Sequence, residues 1–384
     1  MISIPHRPLL VQGAVFLLVS AAFTNIYLTQ PVLPILAGEF AVDETVASRT
    51  ISFVVLGIAL ANLPFGLLAD RFRIKPIILV GGALVGVCGI LGAITPSLPV
   101  LLGLRLTQGL FLPAVTTCLA AYLARSLPLD SLNVVMGTYV SATVAGGLGG
   151  RLLGGYIHPP LHWRYAMVSA SLFLFAALAL AMAVLPGERR NKFERDSSAG
   201  FFQLLTRKDL LVTYLAAFGS FFVFTSSFNY LPFYLHGPEF GVSTNVVTSL
   251  YLSYLIGIIV GPLAGGLANR LGNGTTMILG SLVFGLGLIC TLFHSLAAIL
   301  AGLIFICAGF FAIHSSAAGS LNRKLTGNRG QANSFYVLFY YLGGYAGITA
   351  SGQAYLRGGW PLLVELGLTV LLLPLIIGVL ESRR

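Results

Sequence analysis

Four ionisable side chains interrupt the long apolar stretches of this 384-residue chain: Arg105, Arg151, His314 and Glu365. Such groups are costly in an apolar surrounding and default to functional hypotheses. Arg105 is followed one helical turn later, on the same face, by Gln108. The pair could bind a substrate, respond to a nearby proton site, or hold the backbone of the first apolar run. Arg151 stands at similar depth in another run. Two arginines against few acids in these runs favour a ligand with a carboxylate or phosphate. Asn25, Tyr27 and Gln30, followed by Pro31 and Pro34, are answered by Asn229, Tyr230 and Pro232. Amides and aromatic rings of this kind suit a small amphiphilic ligand or hold one helix to the next, and the prolines let helices bend. His314 could titrate in the physiological range or stay neutral beside a satisfying neighbour. Glu365 reads first as packing or snorkelling, and Phe221, Phe222 and Phe224 as packing or lipid-facing. The candidate binding set is Asn25, Tyr27, Gln30, Arg105, Gln108, Arg151, Asn229, Tyr230 and His314.

A second kind of chemistry lies in GLLADRFRIKPI, residues 66–77, where four charges gather between two apolar runs. A tight turn between helices leaves backbone groups unpaired. Arg71, and Arg270 in GGLANRLGNG, can donate to helix-end carbonyls, where the dipole also favours a cation. Asp70 can accept from amides or pair with a cation, and Gly66 would let helices approach closely. The knot reads as a polar latch that holds one packing and releases in another.

The elements that must position these groups follow from composition. Hydrophobic residues make up 57% of the chain and charged residues 9%, against about 25% charged in a soluble domain. Aliphatic runs near twenty residues recur, each long enough to cross a bilayer. Twelve spans are expected, at roughly 9–36, 45–69, 76–95, 98–125, 131–157, 163–186, 209–235, 244–269, 274–294, 296–321, 329–355 and 360–381. The first reads as an uncleaved helix rather than a signal peptide. The polar stretch between spans six and seven divides the chain into a first bundle at 1–186, a linker at 187–208 and a second bundle at 209–384. With the N-terminus inside, seventeen of the 22 Lys and Arg fall on inner segments and three on outer ones. That bias places both termini in the cytoplasm and accounts for the net charge of +10 without a nucleic-acid partner.

The halves resemble one another. Phe23-Thr24 matches Phe224-Thr225, Glu39-Phe40 matches Glu239-Phe240, and GLLADR matches GGLANR, all at nearly one offset. This is the mark of a parallel repeat about an axis along the membrane normal. The expected class is an all-α membrane protein with twelve transmembrane helices in two six-helix bundles related by that pseudo-two-fold axis.

Residues 66–75 resemble the loop signature G-x-L-A-D-R-x-G-R-K of the major facilitator superfamily: Gly66, Leu68, Ala69, Asp70, Arg71 and Lys75 fit, with Arg73 in place of glycine and Ile74 in place of a base. The second copy keeps Gly265, Leu267, Ala268, Arg270 and Gly272, with Asn269 for the aspartate. RLTQG, with Arg105, Gln108 and Gly109, is similar to the family's R-x-x-Q-G. GGLGGRLLGG is similar to its antiporter signature G-x-x-x-G-P-x-x-G-G through Gly146, Gly150, Gly154 and Gly155, with Arg151 at the proline. Those glycines also read as a smooth groove for another helix. The branch looks like bacterial drug–proton antiporters and arabinose-efflux-type permeases.

The resemblance implies a central cavity lined by spans one, four, seven and ten, and proton-coupled efflux of a small organic solute across the inner membrane by alternating access. A uniporter or importer of an anionic metabolite is the alternative, and a channel a lesser one. Spans one and four hold no carboxylate, so Asp70 and His314 are the candidate proton carriers. The expected partners are the bilayer, a small-molecule substrate and protons, with the chain acting as a monomer. No phosphate-binding loop, hydrolase elbow or zinc spacing occurs. Neither enzyme activity, cofactor, metal nor nucleic acid is expected. Cys88, Cys118, Cys290 and Cys307 read as small apolar residues.

Overall fold

The computed structural model describes residues 8–127, 129–185, 203–325 and 329–383. Most of the expected linker, 187–208, lies outside the described residues. The helices are α1 (Pro8–Tyr27), α2 (Leu33–Glu39), α3 (Glu44–Arg71), α4 (Ile74–Ile94), α5 (Leu98–Ser126), α6 (Leu129–Ile157), α7 (Arg164–Val184), α8 (Gln203–Thr206), α9 (Lys208–His236), α10 (Thr244–Leu250), α11 (Ile256–Leu271), α12 (Asn273–Cys290), α13 (Leu296–Arg323) and α14 (Arg329–Ser382). No strand occurs among the described residues.

Ten helices among the described residues are long and apolar enough to cross a membrane. The longest of these stretches, Gly330–Ser382, is two spans: Gly358 and Gly359 leave helical geometry, Gly359 at φ +61°, where a residue without Cβ is at ease. With α6, an apolar helix of 29 residues, the twelve expected spans are present.

Two of them are not single α-helices. The first is broken after Tyr27 and resumes at Leu33, through a 3₁₀ turn at Gln30–Val32. Pro31 and Pro34 have no N–H to donate, so the α-helical ladder cannot run through them. The eighth passes through 3₁₀ geometry at Tyr251–Leu255 between α10 and α11.

Contacts divide the chain into two compact units, Met1–Val32 with Phe53–Arg195 and Leu33–Ser52 with Asp196–Arg384. α2 and the first turns of α3 thus group with the second unit. In the first unit α1 packs on α6 and α4 on α5; in the second α9 packs on α14 and α12 on α13. Hydrocarbon supplies little hydrophobic drive between helices, so close packing must hold them. The sequence provides it with small residues at four-residue spacing. A Cβ at Gly146, Gly150 or Gly154 would run into the backbone of the first span at Ser20, Thr24 or, just past the end of α1, Leu28. In the second unit, Gly343 and Gly347 meet the α9 backbone at Phe218 and Phe222 in the same way.

Candidate functional site

The break in the first span sets the geometry of the first unit. Where a helix stops, its last carbonyls lose their donors. Arg105, wholly buried on α5, supplies replacements: one terminal nitrogen donates to the Asn25 carbonyl at 2.7 Å and to Gln108 Oε1 at 2.8 Å, the other to the Ile26 carbonyl at 2.6 Å. A cation at the negative end of a helix dipole is well placed. Gln108 in turn donates to the Val85 carbonyl of α4 at 3.0 Å. In this arrangement Arg105 holds the backbone at the end of α1. Asn25 donates through Nδ2 to the carbonyls of Ala21 and Ala170.

Arg151 grips the same break from α6. Its Nε donates to Gln30 Oε1 and one terminal nitrogen to the Gly147 carbonyl, both at 2.7 Å, while the guanidinium carbon lies 4.0 Å from the Tyr27 ring centre. Asn25, Tyr27, Gln30, Arg105, Gln108 and Arg151 therefore form one neighbourhood around the end of α1. Arg151 sits directly after Gly150, whose lack of a side chain lets α1 come close enough to be reached. Gly155 is buried beside Gly154.

The second unit has a different character. Phe221 stacks on Tyr340 with ring centres 3.6 Å apart, and Phe224 on Phe310 at 3.9 Å. Phe228, Tyr251 and Tyr254 extend the cluster. His314 lies at its edge, 5.2 Å from the Tyr340 ring centre, with the Tyr336 hydroxyl 3.0 Å from its Nδ1. Of its two sequence readings, a histidine beside a satisfying neighbour matches this geometry. Phe221, Phe222 and Phe224 are buried, not lipid-facing.

Asn229 and Tyr230 stand apart from His314. Asn229 donates to Ser48 Oγ at 2.8 Å, and the Tyr230 hydroxyl to the Ile348 carbonyl at 2.9 Å, with its ring stacked on Tyr355. Both residues are fully buried in helix packing.

The charged turn departs from expectation in its details. The side chains of Arg71 and Arg270 are exposed and make no hydrogen bond among the described residues. The cation at the end of α3 comes instead from α5: Arg125 donates to the Ala69 carbonyl and pairs with Asp70, each at 2.5 Å. The second unit repeats this without the charge, Arg323 of α13 donating to Asn269 Oδ1 at 2.8 Å. The approach expected at Gly66 is also not found. Nothing lies within 4 Å of where its Cβ would be, and Gly265 meets only Ser315, at 3.8 Å. Lys75, on the first turn of α4, donates to the Leu185 carbonyl and so caps α7. Asp70, a proton-carrier candidate, is exposed and ion-paired.

Three features escaped the reading of single motifs. Arg125 and Arg323 are separated from their partners by 55 and 54 residues, beyond the reach of local spacing. The second glycine seam was legible, because Gly343, Gly347 and Ser351 recur every four residues; Ser351 donates to Ser226 on α9. Lys324 pairs with Glu381 and also donates to the Asp209 carbonyl and Thr213 Oγ1, tying the ends of α9, α13 and α14 together.

The family described as Major Facilitator Superfamily matches this chain over residues 15–348 and 239–381. The chain is 31% identical to the Inner membrane transport protein YnfM of Escherichia coli (strain K12), over 95% of this chain and 88% of that protein. It is 29% identical to the Chloramphenicol resistance protein of Pseudomonas aeruginosa, over 51% of this chain and 48% of that one. A bacterial homologue of the human lysosomal transporter Spinster, in an inward-facing and unoccupied conformation, superposes with a TM-score of 0.79 at 14% identity, covering 99% of this chain and 98% of that one.

Proposed function

The chain belongs to the major facilitator superfamily of membrane transporters, and from that premise we propose that it exports a small organic solute across the bacterial inner membrane in exchange for protons. It does so by alternating access, as a monomer with both termini in the cytoplasm, which the distribution of Lys and Arg supports. The α2–α3 turn then faces outward, and the α3–α4 turn with Asp70 and Arg125 faces inward. The observation that carries export is the seam of Gly146, Gly150 and Gly154 against the first span, which resembles the antiporter signature. The drug-resistance relative, matched over half of this chain, supports the same direction.

The second reading, carriage of an anionic metabolite, is favoured by one observation. Arg105 and Arg151 place two buried cations around the end of α1, while α1 and α5 contain no Asp or Glu. A carboxylate or phosphate would find charge-assisted donors there.

The test begins with thermal-shift measurements of purified protein against chloramphenicol, sugars and organic acids, since a ligand of the folded state raises its melting temperature. The stabilising compound is then followed in proteoliposomes with and without an imposed pH gradient. Proton-coupled efflux requires flux that follows the gradient. Flux indifferent to it gives facilitated diffusion, and selectivity for cations removes the anionic reading.

A further inference from the structure

The start of α12 and the ends of α13 and α14 enclose a cavity of about 480 Å³ within the second unit, a volume in the range of small-ligand sites. Its wall carries Arg323, Lys324 and Glu381 together with the half-buried side chains of Asn273 and Thr275. Two cations against one carboxylate leave a net positive charge. Lys324 is committed, since it pairs with Glu381 and donates to the Asp209 carbonyl and Thr213 Oγ1. Arg323 is not. One of its terminal nitrogens donates to Asn269 Oδ1, and its other side-chain N–H groups make no bond among the described residues. The Asn273 side-chain amide and the Thr275 hydroxyl make none either.

α12 adds donors of its own. The Thr276 N–H bonds to the Gly272 carbonyl, and those of Asn273, Gly274 and Thr275 before it have no acceptor among the described residues. A Ser, Thr, Asp or Asn at the N-cap would ordinarily accept from one of them. Here Gly272 holds that place at φ +88°, where a side chain is strained. The floor is polar as well. Ser320 lines the cavity, and one turn deeper on the same face of α13 Ser316 Oγ is fully buried with no hydrogen-bond partner. We propose that this cavity binds a phosphate group, held by Arg323, Asn273, Thr275 and the first amides of α12. A guanidinium donates to phosphate oxygens in pairs, and a helix start favours an anion. Glu381 faces the same space, but Lys324 already matches its charge. The phosphate belongs to a phospholipid head group or to a soluble phosphate compound.

Only the placement of this cavity on the cytoplasmic side rests on the export reading. The test follows thermal unfolding of the purified protein in phospholipid-free detergent, titrated with inorganic phosphate against chloride at constant ionic strength, since a ligand of the folded state raises Tm. A second arm compares nanodiscs of phosphatidylcholine with and without phosphatidylglycerol. A saturable rise with inorganic phosphate identifies a soluble source, and a rise seen only with phosphatidylglycerol identifies the lipid head group. In either arm Arg323→Gln is expected to weaken binding at least tenfold, while Arg73→Gln, at an exposed position of the first unit, leaves it unchanged. Asn273→Asp brings a carboxylate to the first turn of α12, and is expected to raise the Tm of the ligand-free protein and to cancel the further rise. The site is overturned if neither arm gives a rise, if Arg323→Gln binds as the parent does, or if Arg73→Gln weakens binding as much. If Arg323→Gln does not fold, Asn273→Asp decides, and a rise that survives it overturns the site. No solute is carried in these measurements, so loss of the export reading and loss of the phosphate site are told apart.

Discussion

The guanidinium of Arg151 lies over the face of the Tyr27 ring, 4.0 Å from its centre. This contact and the bond to Gln30 fix the broken end of α1 to α6 at the position where the family's signature has proline. A cation over a desolvated aromatic face contributes roughly 0.5–2 kcal/mol. The ring face, not the hydroxyl, makes the contact, so Tyr27→Phe is expected to keep its melting temperature and Tyr27→Leu to lose several degrees. Arg151→Lys keeps the charge but loses the planar fork, and is expected to bind any anionic ligand found in the screen at least tenfold more weakly, read as a shift in Kd. Unchanged affinity in Arg151→Lys would confine Arg151 to holding α1.

Arg105 makes the complementary hold from α5. Three of its hydrogen bonds go to two helix-end carbonyls and an amide, and charged hydrogen bonds contribute about 1.5–3 kcal/mol each. Arg105→Ala is expected to reach the membrane but to melt well below the parent and to carry no solute. Arg105→Lys keeps three donors on one nitrogen but loses the planar fork that spans both carbonyls, and should fall between them. The measurements are thermal unfolding in detergent and flux in proteoliposomes. Normal flux in Arg105→Ala would remove Arg105 from the transport cycle.

The glycines divide into those that matter for packing and those that do not. Gly347 is pressed against the α9 backbone at Phe222, and Gly150 against α1 at Thr24. Gly66 faces open space. Gly347→Val and Gly150→Val must push two backbones apart, an overpacking strain of about 1–3 kcal/mol or more, and should sharply reduce the amount of folded protein in the membrane. Gly66→Ala should accumulate like the parent, as judged by fluorescence-detected size exclusion.

Much of this was legible in the sequence because membrane helices announce themselves by length and apolarity. The repeat was legible too, and its residues have matching duties. Thr24 donates to Ser20 and Gly146, and Thr225 to Phe221 and Gly344. The paired motifs therefore mark a hydroxyl that bridges two helices in each half. What local spacing could not give was partnership across the chain. Asp70 finds Arg125 rather than Arg71 because Arg71, on its own helix, points to solvent while α5 presents its last turn to α3. Asn229 and Tyr230 have the chemistry of ligand-binding residues, and only the fold shows Ser48 and Ile348 already occupying them. The grouping of Leu33–Ser52 with the second unit likewise has no signature in a helix that runs unbroken through the boundary.

Lys324 and Glu381 give the last test, because their side chains are only 14% and 11% exposed. Withdrawing two charges from water is costly, and their attraction offsets that cost only while both are present. Ser320 supplies a further donor to Glu381 at 3.1 Å, and Lys324 reaches Thr213 at 2.9 Å. Glu381→Leu leaves a lysine nearly buried without its carboxylate, for which about 3–5 kcal/mol is the usual penalty. Lys324→Met leaves the carboxylate in the same position. Each single variant should therefore melt far below the parent, while Lys324→Met with Glu381→Leu should regain most of the loss through apolar packing. A double-mutant cycle on thermal unfolding measures the coupling. Additive losses would mean that the two side chains do not act as a pair and that α14 is held to α9 and α13 by other contacts.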